Sequence, residues 1–181
     1  MIKLSILIAT MPSRKAKLAM LLSTLDVQTP MSGSIEILWD DSMDFNVGTK
    51  RNNLLKRANG AYIVFIDDDD SISNDYVKKI LKATESNPDC IGISGIITTN
   101  GKDKRQWHIS KDYGSWYTKN RIYYRTPNHI SPVKRELALQ AMFPEISYGE
   151  DAEYSKRLLP LLNSEVKVTG NIYHYEYISG K

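Results

Sequence analysis

The chain has 181 residues, of which 41% are hydrophobic and 25% are charged. This length suffices for one domain with a substantial core and is too short for two ordinary domains, and the composition excludes an intrinsically disordered chain. The formal net charge of +3 is too small to indicate nucleic-acid binding by itself. The single cysteine, Cys90, excludes an intramolecular disulfide, and its apolar neighbours predict a buried structural thiol.

The N-terminal apolar run, residues 4–9, is too short for the core of a signal peptide and is followed by the basic residues Arg14, Lys15 and Lys17. No stretch of the sequence approaches the length needed to cross a bilayer. We therefore expect a soluble, cytoplasmic protein. The basic residues leave a peripheral contact with a membrane surface open.

The first hundred residues alternate between strand-like and helix-like segments. Strand-like segments span residues 4–9, 35–39, 61–66 and 90–97, and residues 61–66 form a continuous apolar run of the kind found in strands covered on both faces. Helical patterns span residues 14–28, residues 50–58 and the segment between Asn74 and Asn87, and a loop is predicted at residues 29–34. This alternation predicts an α/β fold with a mostly parallel central sheet flanked by helices.

Polar residues precede the helical segments at positions suited to a cap. Ser13, Thr49 and Asn74 each carry a side-chain oxygen that can accept a hydrogen bond from the first helical turn. Arg51 falls in the first turn of the second predicted helix, where the helix dipole disfavours a cation. That local cost indicates an anionic partner for Arg51.

Four consecutive aspartates, residues 67–70, follow the third predicted strand and are called the acidic turn here. Adjacent carboxylates repel one another unless a cation lies among them, and hard carboxylate oxygens favour Mg2+ or Mn2+. Thr10 and Asp40 also follow predicted strands, and α/β sheets bind ligands beyond the carboxyl ends of their strands. An ordinary acidic surface turn is the alternative, but the shared sheet edge favours a binding site.

The second half of the chain is basic and aromatic. Residues 102–135, called the basic–aromatic region here, contain nine lysines or arginines against only Asp103 and Asp112, with six tryptophans or tyrosines between them. Strands are predicted at residues 122–124, 129–133, 166–169 and 171–177. Helices are predicted at residues 134–142 and 150–159, the second with acids in its first turn, where the helix dipole favours them.

With these segments in order, the sequence resembles a family 2 glycosyltransferase of the GT-A fold over nearly its whole length. The resemblance rests on Ser5-Ile-Leu-Ile-Ala-Thr10, Glu36-Ile-Leu-Trp-Asp-Asp-Ser42, Arg51-Asn52, Ala58-Asn-Gly-Ala-Tyr-Ile-Val-Phe-Ile-Asp-Asp-Asp-Asp70, Gly149-Glu-Asp151 and Arg157-Leu158. It implies one Rossmann-like domain over residues 1–181. Residues 1–100 would form the nucleotide-sugar-binding half, and residues 101–181 a smaller half with the acceptor side and the catalytic base.

The resemblance also implies a nucleotide-sugar donor, most simply a UDP-sugar, a Mn2+ or Mg2+ ion, and inversion at the anomeric carbon. Asp67, Asp68 and Asp69 match the family's DXD position. Asp69 would be the main metal ligand, and Asp67 would reach the metal through water or hold the ribose. Asp68 would contact the ribose or sugar. The metal would neutralise the charge that develops on the diphosphate leaving group.

Four further residues are implied to surround the donor. Asp40 matches an acid that contacts the base in related enzymes, and Thr10 lies beside the same pocket. Arg51 matches a basic residue near the base and ribose, for which a surface cation is the alternative. His174 lies where some GT-A enzymes supply a metal ligand, although a structural role is equally open to a histidine between tyrosines.

The catalytic base implied by the resemblance is Asp151, which would take the proton of the acceptor hydroxyl. Glu150 would position the acceptor or the backbone. Without the resemblance, both would be read as ordinary acids at a helix N-terminus. Met11-Pro12 replaces the family's usual aromatic-Asn, and the QXXRW signature of processive polymerases is absent, which favours transfer of a single sugar.

The acceptor implied is a hydroxyl group on a glycan, a lipid-linked molecule or a protein, as in polysaccharide biosynthesis. In the basic–aromatic region, aromatic faces would stack on sugar rings and cations would meet phosphate, unless the region is merely a solvated basic face. One competing reading is a nucleotidyltransferase, but residues 10–14 lack the glycines of a phosphate loop. Another is a non-catalytic module that binds glycans or nucleic acid through this region, and a DNA acceptor is not singled out by the sequence.

Overall fold

The protein is described by a computed structural model that covers residues 1–29 and 33–179. Residues 30–32, within the predicted loop at 29–34, lie outside the described residues. Within the described part of the chain, ten strands form one mixed sheet. The strands are β1 (Leu4–Ala9), β2 (Ile35–Asp40), β3 (Tyr62–Phe65), β4 (Ser71–Ile72), β5 (Cys90–Thr99), β6 (Lys102–Ile109), β7 (Tyr117–Lys119), β8 (Ile122–Arg125), β9 (Val133–Lys134) and β10 (Glu165–Tyr177).

Five α-helices accompany the sheet in the described residues. They are α1 (Lys15–Gln28), α2 (Val47–Arg57), α3 (Tyr76–Thr84), α4 (Arg135–Ala141) and α5 (Glu150–Leu158). Short 3-10 turns at Pro12–Arg14 and Leu159–Leu161 adjoin α1 and α5. None of the helices described has both the length and the apolar character needed to cross a bilayer.

The first half of the chain forms the parallel part of the sheet. Strand β1 lies between β2 and β3 and is parallel to both. The predicted strands are therefore confirmed here. Their carboxyl ends meet at one edge, which brings together Thr10 after β1, Asp40 at the end of β2 and Asp67 after β3. This edge carries the candidate site.

The sheet is covered on both faces, which explains the continuous apolar runs. On one face, Leu25 of α1, Ile80 of α3 and Ile6 of β1 belong to one buried hydrophobic cluster. On the other face, Leu54 of α2 and Tyr154 of α5 pack in a second cluster with Phe65 of β3. Because side chains alternate along a strand, β1 and β3 supply residues to both clusters.

The second half of the chain extends the sheet with mixed strand directions. Strand β9 is antiparallel to β3, β6 is antiparallel to β5, and β10 runs parallel to β5. The two predicted C-terminal strands form one strand, β10, with a register shift near Gly170, whose φ is 86°. Strands β6 and β7 escaped prediction because polar residues dominate them, and only Trp107 and Ile109 of β6 are buried.

The predicted helix starts need correction. Helix α1 begins at Lys15 after a 3-10 turn, and the Ser13 side chain does not cap it. Helix α2 begins at Val47 with Asn46 as the cap, accepting a hydrogen bond from the Thr49 N–H at 2.9 Å. Arg51 therefore lies in the second turn, where the helix dipole no longer penalises a cation. Helix α3 begins at Tyr76, and Asp75 rather than Asn74 is its N-cap residue.

Asp70 joins the acidic turn to the last strand. Its carboxylate accepts hydrogen bonds from the Tyr173 hydroxyl at 2.7 Å and the Glu176 N–H at 3.1 Å. Burial raises the pKa of Asp70 to about 8, and the charge of Asp67 adds to this effect. The loop that carries the other three aspartates is thus fixed to β10.

The raised pKa of Asp70 predicts a stability that depends on pH. The folded protein binds this proton more tightly than the unfolded chain, so the contribution is present at low pH and is lost as the pH rises towards about 8. We expect urea denaturation to show unfolding free energy falling between about pH 4 and pH 8, and falling less in Asp70→Asn. The exposed Asp26→Asn should behave as the wild type, and equal pH slopes in all three proteins would contradict the assignment.

Gly95 of β5 marks the closest packing between strands. A Cβ at this position would overlap the carbonyl oxygen of Tyr173 and the ring of Trp107. We expect Gly95→Ala to lower the free energy of unfolding by about 1–3 kcal/mol, as overpacking does. Gly114→Ala is the matched control, because an added Cβ there meets no atom within 4 Å. Urea denaturation that gave both variants the same stability would refute this reading of the packing.

Candidate active site

Arg51 connects the acidic turn to the start of α5. Its guanidinium donates to the Asp67 carboxylate at 3.1 Å and to the Glu150 carboxylate at 2.6 Å. Arg51 is only 4% exposed, so both ion pairs are largely screened from water. The sequence prediction of an anionic partner for Arg51 is thereby confirmed, with two partners instead of one.

Asp67 lies between two basic side chains. Besides Arg51, the His129 Nε2 atom lies 3.2 Å from the second carboxylate oxygen. Desolvation alone raises the pKa of Asp67, but the nearby His129 and Arg51 outweigh it and bring the pKa well below its ordinary value. Asp67 is therefore ionised across the physiological pH range.

Asp68 is enclosed by protein. Its carboxylate accepts hydrogen bonds from the Thr10 hydroxyl at 2.5 Å and from the Arg14 guanidinium at 2.8 Å, and its side chain has no exposed surface. In this structure those partners occupy the Asp68 carboxylate, and its contact with the ribose or sugar stays a prediction. Its carboxylate holds Thr10 and Arg14 in place.

The Asp69 side chain is more accessible to solvent than that of Asp68. Its side chain is 19% exposed, and one carboxylate oxygen lies 3.3 Å from Arg14 and 3.7 Å from Lys17 of α1. The acidic turn thus contains an enclosed carboxylate at Asp68 and a reachable one at Asp69. The difference follows from their positions, because Asp68 points under the end of β1 and Asp69 towards the open edge.

A larger cavity of about 620 Å³ opens at the carboxyl ends of the strands. This volume is in the range of pockets that hold small molecules or cofactors. Its lining includes Thr10, Arg14, Lys50, Arg51, Asp67, Asp69, Glu150 and Tyr175. The Lys50 ammonium donates to the Thr10 carbonyl at 2.7 Å, which fixes a cation beside the end of β1.

Asp40 lies beside this cavity at the end of β2. The Thr10 N–H donates to its carbonyl at 2.9 Å, and its carboxylate accepts from the Ser42 N–H, also at 2.9 Å. Asp40 is half-buried. The structure thus brings Asp40 next to Thr10, as the common sheet edge predicted.

A smaller cavity of about 430 Å³ lies on the other side of Arg51, Asp67 and Glu150, which line both cavities. Asp151 lines the smaller cavity, and its carboxylate accepts from the Ala152 N–H at 2.7 Å. The basic–aromatic region contributes Trp107, Trp116, Tyr123, Arg125, Asn128 and His129 to the same lining. Asp69 and Asp151 therefore face two adjoining cavities that share one wall.

His174 is not brought to the acidic turn. Its Nε2 atom lies 3.0 Å from the Thr98 hydroxyl, and it lines a separate cavity with Ser71 and Lys104. Side chains alternate along β10, so Tyr173 and Tyr175 face the acidic turn and His174 faces away from it. The structure thus places the His174 side chain away from Asp67 and Asp69, and its role as a metal ligand stays a prediction.

Several residues of the site were not singled out by the sequence. Arg14 and Lys17 appear there only as part of a basic cluster, yet both contact the acidic turn. His129 and Tyr173 also contact it, from segments 62 and 106 residues away from Asp67. The one available signal was the need of four adjacent aspartates for nearby cations.

The acidic turn offers few side-chain ligands to a divalent cation. Within the residues that the structure describes, no three His, Cys, Asp or Glu side chains form a group that could hold a metal ion. Asp69 and Asp67 do present hard oxygen atoms to the larger cavity, and Mg2+ is commonly held by one or two carboxylates together with substrate phosphates. The residues therefore fit a Mg2+ or Mn2+ ion that binds together with a phosphate-bearing ligand.

Comparison with solved structures shows the fold. The chain matches a crystal structure of S. aureus TarS residues 1–349 in complex with UDP-GlcNAc, with a TM-score of 0.75 and 17% identity over 99% of this chain and 60% of that one. It also matches GalNAc-T7 with UDP, GalNAc and Mn2+, with a TM-score of 0.63 and 11% identity over 98% of this chain and 44% of that one. These similarities confirm the predicted α/β fold of GT-A type.

Comparison with curated protein sequences gives no match. The chain spans about 60% of the TarS fragment, so the similarity concerns only part of that protein. The family model of glycosyl transferase family 2 matches residues 32–142, which is more than half of this chain. The chain therefore belongs to glycosyl transferase family 2.

Proposed function

We propose that the protein transfers one sugar from a nucleotide-sugar donor, most simply a UDP-sugar, to a hydroxyl acceptor, with inversion at the anomeric carbon. The observation that carries this proposal is the pair of adjoining cavities with Asp69 on one and Asp151 on the other. Similar folds with UDP-GlcNAc in TarS, and with UDP, GalNAc and Mn2+ in GalNAc-T7, support a UDP-sugar donor and a divalent cation.

The larger cavity is the proposed donor site. Thr10 lines it, and Asp40, whose carbonyl accepts from the Thr10 N–H, is proposed to contact the base. Lys50 and Arg14 supply positive charge for the diphosphate. Arg51 is held by Glu150 and Asp67, so we assign it a positioning role beside the donor rather than a contact with the base. In this division, the first hundred residues supply most of the donor site.

Asp69, with Asp67, is proposed to hold the Mg2+ or Mn2+ ion. When bound, the ion neutralises the charge that develops on the leaving diphosphate. Arg14 and Lys17 lie 3.3 Å and 3.7 Å from the Asp69 carboxylate and help to orient it. Since Asp69 and Asp67 supply two carboxylates, the diphosphate would supply further ligands, and cation and donor would bind together.

Asp151 is the proposed general base. It accepts the proton of the acceptor hydroxyl as that oxygen forms a bond to the anomeric carbon from the face opposite the diphosphate. The bond from the anomeric carbon to the phosphate oxygen breaks, and the nucleoside diphosphate leaves with the electron pair. The buried Arg51–Glu150 ion pair fixes the start of α5 and so positions Asp151 relative to the acidic turn.

Family membership favours sugar transfer over the nucleotidyltransferase reading. The non-catalytic reading leaves Asp151 beside a cavity without a role, whereas sugar transfer uses it. The rings of Trp116 and Tyr123 on the smaller cavity support the proposal that the basic–aromatic region forms the acceptor side.

Asp151→Asn tests the base. We expect transfer to a panel of hydroxyl acceptors to slow by about 10²- to 10⁴-fold, the usual contribution of a general base, with UDP binding retained. Product formation by mass spectrometry and a thermal-shift assay with UDP measure the two quantities. Glu153→Gln is the matched control, because Glu153 lies in the same helix and pairs with Lys156 and Arg157. Transfer at the wild-type rate in Asp151→Asn would sink this assignment.

Asp69→Ala tests the joint binding of cation and donor. We expect UDP to raise the melting temperature of the wild type more with Mn2+ than with EDTA, since ligands that bind only the folded state stabilise it by mass action. Asp69→Ala should lose this difference, and Asp75→Ala, which removes a partly exposed acid paired with Lys79, should keep it. If no nucleotide or nucleotide sugar gave a shift dependent on metal, the proposed metal-dependent mechanism would be wrong.

A further inference from the structure

Arg125 is the residue of the basic–aromatic region that brings a positive charge into the smaller cavity. All nine basic residues of this region are described, and Arg125 alone among them lines that cavity. Others are paired on the surface, such as Arg105 and Arg121 with Asp103. Of the nine positive charges in the basic–aromatic region, one therefore lies at the proposed acceptor site.

The Arg125 guanidinium is held in place without an ion pair. It lies 5.1 Å from the ring centre of Trp116 and 5.1 Å from that of Tyr123. Its Nη1 atom donates to the carbonyl oxygens of Tyr117 at 3.1 Å and Tyr124 at 3.0 Å. Within the part of the chain that the structure describes, no carboxylate lies within ion-pair distance of Arg125.

A half-buried cation without a counter-charge is costly, because burial removes hydration and the two carbonyl hydrogen bonds supply no opposite charge. Burial accordingly lowers the pKa of Arg125, although the more distant charge of Asp151 opposes this effect. A guanidinium presents its N–H groups in a planar fork that fits carboxylate and phosphate oxygens. A ligand with such a group would supply the missing counter-charge.

We infer that the acceptor carries an oxyanion group, a phosphate or a carboxylate, which binds Arg125 while a hydroxyl of the same molecule reaches Asp151. This inference rests on the proposed function and specifies its acceptor class. Both side chains line the smaller cavity, and Trp107 and Tyr123 line the space around them, where a sugar or polyol would lie. A neutral acceptor would leave Arg125 uncompensated, so an anionic glycan or a phosphorylated polyol is preferred.

The inference is tested through the indole N–H resonance of Trp116. This group donates to the Thr126 hydroxyl at 2.9 Å, and its ring contacts Arg125, so a ligand on Arg125 should shift it. Trp116→Phe assigns the resonance among the three tryptophans. With UDP and Mg2+ present to fill the donor site, the probes are glucose, glucose 6-phosphate and glucuronate.

We expect glucose 6-phosphate or glucuronate to shift the resonance with at least about tenfold higher affinity than glucose, as a charge-assisted contact provides. The stronger of the two anions distinguishes phosphate from carboxylate. Arg125→Met should remove the preference, Arg125→Lys should keep part of it, and Arg121→Met, on an exposed arginine of the same region, should leave it unchanged. Trp39 and Trp107 resonances that match the wild type before any ligand is added confirm that each variant is folded.

Three results would overturn the inference: equal affinity for glucose and the anions, a preference that survives in Arg125→Met, or no shift with either anion. Its failure is separate from failure of the proposed function. If UDP stabilises the protein in Mn2+ and the anions leave Trp116 unaffected, only the acceptor class is wrong. If UDP does not bind, the donor proposal fails, and the titration without UDP still reports on Arg125.

Discussion

The candidate site depends on the buried ion pairs of Arg51. One guanidinium holds Asp67, which follows β3, and Glu150, which begins α5, although these acids are 83 positions apart in the chain. The rings of Phe65 and Phe143 lie within 5.8 Å of the guanidinium, so the charges meet inside the core. Removing one partner from such a group typically costs about 3–5 kcal/mol, because the remaining charge stays buried and unpaired. The donor and acceptor sides are therefore joined by a contact that the fold cannot easily lose.

The acidic turn distributes four carboxylates among different surroundings. Asp67 and Asp68 are bound by basic or hydroxyl side chains, Asp70 is hydrogen-bonded to β10, and Asp69 is the one we propose as the main metal ligand. This division limits the repulsion expected of adjacent acids, because each carboxylate has ion-pair or hydrogen-bond partners, with Arg14 shared by Asp68 and Asp69. It also explains why the protein by itself lacks a group of three metal-binding side chains, in the residues described, while still fitting a cation that arrives with a diphosphate.

The two cavities differ in the side chains that line them, although they share a wall formed by Arg51, Asp67 and Glu150. The larger cavity combines acidic and basic groups, which suits a charged donor, and the smaller one combines aromatic rings with Asp151 and Arg125. If the acceptor is anionic, its charged group binds Arg125. That contact keeps the acceptor's negative charge away from Asp151 and from the diphosphate in the larger cavity. The proposed acceptor specificity is then an electrostatic consequence of where one arginine of a basic region is placed.

The sequence by itself determined the elements whose causes are local. Apolar runs identified β1, β2, β3 and β5, and the rule that ligands bind at the carboxyl ends of parallel strands brought Thr10, Asp40 and Asp67 together in advance. The resemblance to family 2 glycosyltransferases, carried by these segments, agrees with the family match.

Only the tertiary structure decided the charge pairing and the facing of side chains. The bonds from Arg14 to Asp68 and from Arg51 to Glu150 span 54 and 99 residues, and no local pattern specifies which of many cations meets which acid. The face of His174 was equally beyond the sequence, because a shift of one residue in strand register reverses the direction of every side chain. Asp68 differs from Asp69 in burial, and Arg125 differs in pairing from the eight other basic residues of its region. Both differences arise from contacts between distant segments.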